Sequence, residues 1–146
     1  MDIFSDEYFM KIALQEAEKA LNKQEIPVGA IIVSNNQIIA KSHNLTELLT
    51  DVTAHAEIQA ISSAANYLGA KYLKNCTLYV TLEPCQMCAG ALYWSQISRV
   101  VWGASDSKRG YTAMGGQLHP KTKVHKDILE EECAAVMHSF FKEKRK

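Results

Sequence analysis

The chain of 146 residues lacks net charge: sixteen Lys and Arg balance sixteen Asp and Glu. Overall basicity therefore gives no argument for a nucleic-acid partner, and only local clustering can make that case. Long apolar runs are also missing. The longest aliphatic run, Ala30-Ile31-Ile32-Val33, falls far short of the ~18–20 residues that cross a bilayer, so no membrane partner is expected. The N-terminus, Met1-Asp2-Ile3-Phe4-Ser5-Asp6-Glu7, is acidic where a secretory signal is basic and then apolar, which makes a cytoplasmic protein the expectation. Only three prolines and seven glycines are present, without repeat or linker, which excludes collagen-like and low-complexity architectures. Cysteines are few: Cys76, Cys85, Cys88 and Cys133. In a reducing compartment they read as metal ligands, catalytic groups or core filler, not as bridges.

What is present is ordinary globular material, 47% hydrophobic and 22% charged, of a length that suits one domain spanning 1–146. Ser5 reads as an N-cap with Asp6 and Glu7 in the first turn, where the helix dipole favours negative charge. Phe9, Ile12, Ala13, Glu16, Ala17 and Ala20 then recur at helical spacing, and Pro27 bounds the helix. The β-branched run 28–33, the turn Ser34-Asn35-Asn36 and the run 37–40 predict a hairpin. A helix is expected over 53–65, a strand over 77–81, a helix over 85–93 and a strand over 98–102. A long loop over 103–126, punctuated by Gly103, Gly110, Gly115, Gly116 and Pro120, precedes a last helix over 127–142. Strands alternating with helices after a hairpin predict an α/β fold whose later strands run parallel through right-handed crossovers, with both sheet faces covered.

His55, in Thr53-Ala54-His55-Ala56-Glu57, and the pair Cys85 and Cys88, in Pro84-Cys85-Gln86-Met87-Cys88, fall at the starts of two predicted helices. Two thiolates and one imidazole suit Zn2+, a borderline-soft ion, and the positive end of a helix favours the thiolate form. Three protein ligands leave a fourth tetrahedral position for water, as in catalytic zinc sites. A lone C-x-x-C fits a redox pair or half a zinc knuckle equally well; here no second C-x-x-C or paired His accompanies it. Cys76 and Cys133 are the conceivable fourth ligands, although Cys133 shares an apolar helical face with Leu129, Val136, Met137 and Phe140. Glu57, two residues from His55, can approach that water without binding metal, as a proton shuttle does.

These residues match the H-x-E…P-C-x-x-C signature of the zinc-dependent nucleobase and nucleoside deaminases. Beyond the signature, the chain resembles the bacterial tRNA-specific adenosine deaminases along nearly its whole length. The segments are Ile26-Pro27-Val28-Gly29-Ala30, Thr53-Ala54-His55-Ala56-Glu57, Leu78 to Cys85, Met87-Cys88-Ala89-Gly90-Ala91, Arg99 to Ala104 and Glu132-Cys133-Ala134-Ala135. The resemblance implies a cytidine-deaminase-like three-layer α/β/α sandwich with a mixed central sheet. It also implies a homodimer with one Zn2+ per subunit, the tRNA anticodon stem-loop as partner, and no DNA. The implied reaction converts adenosine to inosine at the wobble position, with the ACG-anticodon arginine tRNA as the expected substrate. Carried over by position, His55, Cys85 and Cys88 would hold zinc and Glu57 would move protons. Asn44 would hydrogen-bond the target base, Val28 would line its pocket, and Asp106 would meet the nucleic acid beside it.

Asn44 also fits a turn residue, and Asp106 also fits a solvated loop acid or local cap. Between Arg99 and Lys126 six basic residues, Lys108 and Arg109 among them, face one acid, for a net charge of +5. The tail adds Lys142, Lys144, Arg145 and Lys146 against Glu143. Both clusters suit phosphate contacts and equally suit solvated loop and tail. Two other functions share the signature: deamination of a free base or nucleoside, guanine above all, and an inactive RNA-binding or partner subunit. Tyr93-Trp94-Ser95-Gln96, Asp51-Val52 and the segment 110–116 depart from the usual tRNA-editing pattern and favour the first; an intact Glu57 argues against the second.

Overall fold

The computed structural model describes residues 3–144; Arg145 and Lys146 of the basic tail, and Met1 and Asp2 of the acidic N-terminus, lie outside the described residues. Its elements are α1 (Asp6–Asn22), β1 (Gly29–Ser34), β2 (Gln37–His43), α2 (Ala56–Leu68), β3 (Cys76–Leu82), α3 (Gln86–Ser95), β4 (Arg99–Ala104), β5 (Lys123–His125) and α4 (Glu130–Lys144). The five strands form one sheet in the order β2-β1-β3-β4-β5. β1 is antiparallel to both β2 and β3, while β3 with β4 and β4 with β5 are parallel. The sheet is therefore mixed, as the hairpin followed by strand-helix units predicts.

Period-two alternation explains the layers. Ala30, Ile32, Leu78, Val80, Val100 and Trp102 share one core with Ala56, Ala60 and Ala64 of α2 and Ala89 and Leu92 of α3. The intervening Ile31, Val33, Tyr79 and Val101 pack on the other face against Phe9, Met10 and Ala13 of α1 and Cys133 of α4. The uninterrupted apolar run in β1 is thus a strand buried on both faces. α1 approaches so closely that a Cβ on Gly29 would collide with the Ala13 carbonyl and the Ala17 nitrogen. Asn35 and Asn36, at φ of 52° and 61°, make the tight β1–β2 turn in the left-handed conformation that asparagine tolerates.

Ser5 caps α1 as its sequence indicates, its Oγ accepting from the Tyr8 N–H at 3.0 Å. Three helix starts differ from expectation; α4 begins at Glu130, not at 127, because Asp127 and Leu129 take left-handed turn conformations at φ of 66° and 55°. α2 begins at Ala56, not at 53, because Thr53 is held in a turn by the Asp51 carboxylate, at 2.8 Å from both its N–H and its hydroxyl. α3 begins at Gln86, with Cys85 as its extended N-cap. The long loop over 103–126 contains β5, a fully exposed edge strand of three residues. With Val124 its single apolar residue, it carries no alternation for a sequence pattern to register.

Candidate metal centre and active site

His55 and Cys85 are both N-cap residues, with extended backbone at φ −72°, ψ 155° and φ −74°, ψ 176°. Cys88 lies in the first turn of α3 and is fully buried. Two helix N-termini thus present donors to one point. His55 Nδ1 stands 3.6 Å from Cys85 Sγ and 3.5 Å from Cys88 Sγ. A tetrahedral zinc with bonds of about 2.3 Å to sulfur and 2.0–2.1 Å to nitrogen separates its N and S donors by about 3.6 Å, so this donor set fits the ion. Among the described residues this group consists of three side chains; neither Cys76 nor Cys133 joins it. Both are instead in the core, and a Cβ on Gly103 would strike the Cys133 sulfur.

The electrostatics agree with metal binding. Cys85 is held down to about 4, chiefly by the Cys88 thiol and then, against the cost of burial, by the His55 imidazole and the Cys88 backbone N–H. Cys88 is pushed up, because Cys85 takes the role of thiolate and burial disfavours a second charge. The Cys85 sulfur raises the His55 pKa by hydrogen bonding. A divalent cation relieves this sharing, since it stabilises both thiolates together.

Glu57, in the first turn of α2, is buried at 4% exposure. Burial is the main cause that pushes its carboxyl up to about 7, reinforced by the charge of Cys85. The Cys88 thiol reaches its carboxylate, which places Glu57 beside the donor set while the three donor atoms come from other residues.

Asn44 is buried just beyond β2, and its N–H donates to the Val28 carbonyl at 3.0 Å, so these two expected pocket residues adjoin. The next residue, Leu45, donates to Ala54 O at 3.0 Å, directly before His55. The Asn44 side chain itself reaches Ile26 O and Thr46 N, each at 3.3 Å. Asp106 has a local cap geometry, Oδ1 accepting from the N–H groups of Lys108 at 3.1 Å and Arg109 at 3.0 Å. Lys108 and Arg109 are exposed. Arg99, counted in the basic stretch, is tied to Asp6 at 2.6 Å on the sheet's opposite face.

Three polar residues around the centre have no role in the sequence reading. Gln59 of α2 spans from its Nε2 to His43 O at 2.8 Å and Ala54 O at 3.1 Å. Glu25, 1% exposed, accepts from the N–H groups of Glu47 at 3.0 Å and Leu48 at 2.8 Å. Glu83, adjacent to Pro84-Cys85, accepts from Asp106 N at 3.0 Å and from Thr112. The available signal is position alone: each carboxylate sits within a residue or two of a proline in an apolar context, where only hydrogen bonding justifies a buried charge.

The fold and donor set define a zinc-binding deaminase, and residues 4–104 match the family model of the cytidine and deoxycytidylate deaminase zinc-binding region. Over 97% of its length the chain is 44% identical to the tRNA-specific adenosine deaminase of Bacillus subtilis (strain 168), spanning 91% of that protein. A solved structure from studies of A-to-I editing by tRNA:A34 deaminases at the wobble position of transfer RNA superposes with a TM-score of 0.83 at 41% identity. It covers 88% of this chain and 98% of that one. The guanine deaminase of Bacillus subtilis superposes with a TM-score of 0.67 at 38% identity, covering 77% of this chain and 69% of that one. The chain belongs to the tRNA-specific adenosine deaminases within the zinc-binding deaminase family.

Proposed function

We propose that this protein hydrolytically deaminates adenosine to inosine at the wobble position of tRNA, with the ACG-anticodon arginine tRNA as its substrate. It acts as a single deaminase domain, in the cytoplasm and as a homodimer. The observation that carries the chemistry is a three-donor centre, His55 Nδ1 at 3.5 and 3.6 Å from two cysteine sulfurs, with a buried carboxyl beside it. Zinc held by His55, Cys85 and Cys88 would supply Lewis acidity to the reaction.

The chain's own groups account for the proton movements. With its carboxyl pushed up to about 7, Glu57 is poised near neutral pH to carry both protons of the attacking water in turn, the first to the ring nitrogen and the second to the departing amine. The Asn44 amide, able to donate and accept, orients the base, and Val28 forms an apolar wall. Asp106, Lys108 and Arg109 meet the RNA backbone around a base unstacked from the anticodon loop. Sequence identity favours RNA over guanine: 44% over 97% of the chain to a tRNA deaminase, against 38% over 77% for one guanine deaminase and 23% for another that shares the fold over 93%. Among the described residues no helix is long and apolar enough to cross a membrane.

The test presents zinc-loaded protein with an anticodon stem-loop, guanine, adenosine and cytidine in parallel and measures ammonia release. Turnover of the stem-loop alone is expected, with binding that weakens as salt rises. Turnover of guanine with the RNA untouched would move the protein to purine salvage.

A further inference from the structure

Residues 105–112 carry Asp106, Lys108 and Arg109, and a single carboxylate grips this loop at both ends. Glu83 is 4% exposed. Its Oε1 accepts from the Asp106 N–H at 3.0 Å; its Oε2 accepts from the Thr112 N–H at 3.2 Å and the Thr112 hydroxyl at 2.6 Å. The backbone closes around the same point: Glu83 N donates to Ala104 O at 2.8 Å, and Tyr111 N donates to Pro84 O at 2.9 Å. Gly110 pairs with Cys85 in an isolated antiparallel bridge. A Cβ at position 110 would collide with the Glu83 carboxyl, so glycine is what lets the loop close over it. The segment that supplies the metal donor Cys85 is thereby joined to the loop that carries Asp106, Lys108 and Arg109.

We propose that Glu83 and Thr112 are positioning residues for the RNA substrate: their hydrogen bond holds loop 105–112 in the shape that presents Asp106, Lys108 and Arg109. The inference rests on the tRNA-deaminase reading. The Thr112 hydroxyl makes the shortest of the three bonds, and hydrogen bonds to a charged acceptor are the strong ones. Without it, Oε2 keeps a single backbone donor, and the closed loop becomes one of several conformers. A substrate that binds only the closed loop is then held more weakly in proportion to the lost population. The metal donors and Glu57 lie outside the loop, and the backbone contacts of Gly110 with Cys85 and of Tyr111 with Pro84 do not use the Thr112 hydroxyl, so chemistry on bound substrate is unaffected.

Thr112→Val keeps the shape and removes the hydroxyl; Thr112→Ala removes it without adding apolar bulk; Thr112→Ser restores it. Steady-state kinetics on an anticodon stem-loop are expected to show KM raised about five- to tenfold in the Val and Ala variants. Their kcat stays within about twofold and bound zinc is unchanged, while the Ser variant returns KM to within about twofold of the parent. The proposal is overturned if KM is unchanged without the hydroxyl, if kcat falls instead, if zinc is lost, or if Ser is as impaired as Val. A parent protein inactive on the stem-loop would refute the substrate itself, whereas an active parent with an unaltered Thr112→Val variant would refute only the clamp.

Discussion

Glu57 shows how environment suits a common residue to the proton-carrying role we propose for it. An exposed glutamate is ionised at neutral pH, whereas burial beside the Cys85 thiolate brings this carboxyl up to about 7. Glu57→Gln keeps the shape and removes the titrating group. The variant is expected to retain zinc and lose about 10²–10⁴ in kcat, as read by metal analysis and ammonia release; full turnover with zinc in place would remove Glu57 from the reaction. This part of the site is legible in sequence because each side chain has chemistry of its own: an imidazole, two thiolates and a carboxylate at fixed spacings. Glu25, Glu83 and Gln59 are not legible in the same way. Their partners are mostly backbone groups 20 or so residues away, or a neighbouring strand end, and no local pattern records them.

At the level of elements, the start of α1 is fastened across the sheet. Asp6 accepts from Arg99 of β4 at 2.9 and 2.6 Å and from the Tyr79 hydroxyl of β3 at 2.8 Å. The Arg99 guanidinium holds the Asp6 carboxyl below its usual value, against the opposing effect of partial burial. A depressed carboxylate pKa contributes stability that is present above the unfolded value near 3.8 and is lost as pH falls through the folded value. Asp6→Asn is therefore expected to cost about 1 kcal/mol at pH 7, allowing for its partial exposure, or about 2–4 °C in Tm. The gap between parent and variant closes below about pH 4; thermal melts that keep the gap constant from pH 7 to pH 3 would contradict the assignment. The strands and helices with strong periodicity, β1, β3, β4 and α1, are readable from their residues. The helix starts at His55 and Cys85 are shifted because these positions are set by turns and by convergence on a common point, and β5 gains its identity only by pairing with β4.

Across the whole molecule, the two helix N-termini that carry the donors lie on one face of the sheet, and the loops that follow β2 and β4 border them. The neutral total charge conceals this arrangement: Arg99 is committed to Asp6 on the far face, while Lys108 and Arg109 stay exposed on the clamped loop. Relatives that act on guanine and on tRNA share this fold, so in our proposal the rim, not the donor set, selects the substrate. The central claim is that this centre edits one adenosine of a tRNA. Its most direct test is to incubate the zinc-loaded protein with whole ACG-anticodon arginine tRNA and map inosine by mass spectrometry of RNA fragments. Inosine confined to the first anticodon position is the predicted result; a fully metallated protein that leaves this adenosine unchanged would contradict it.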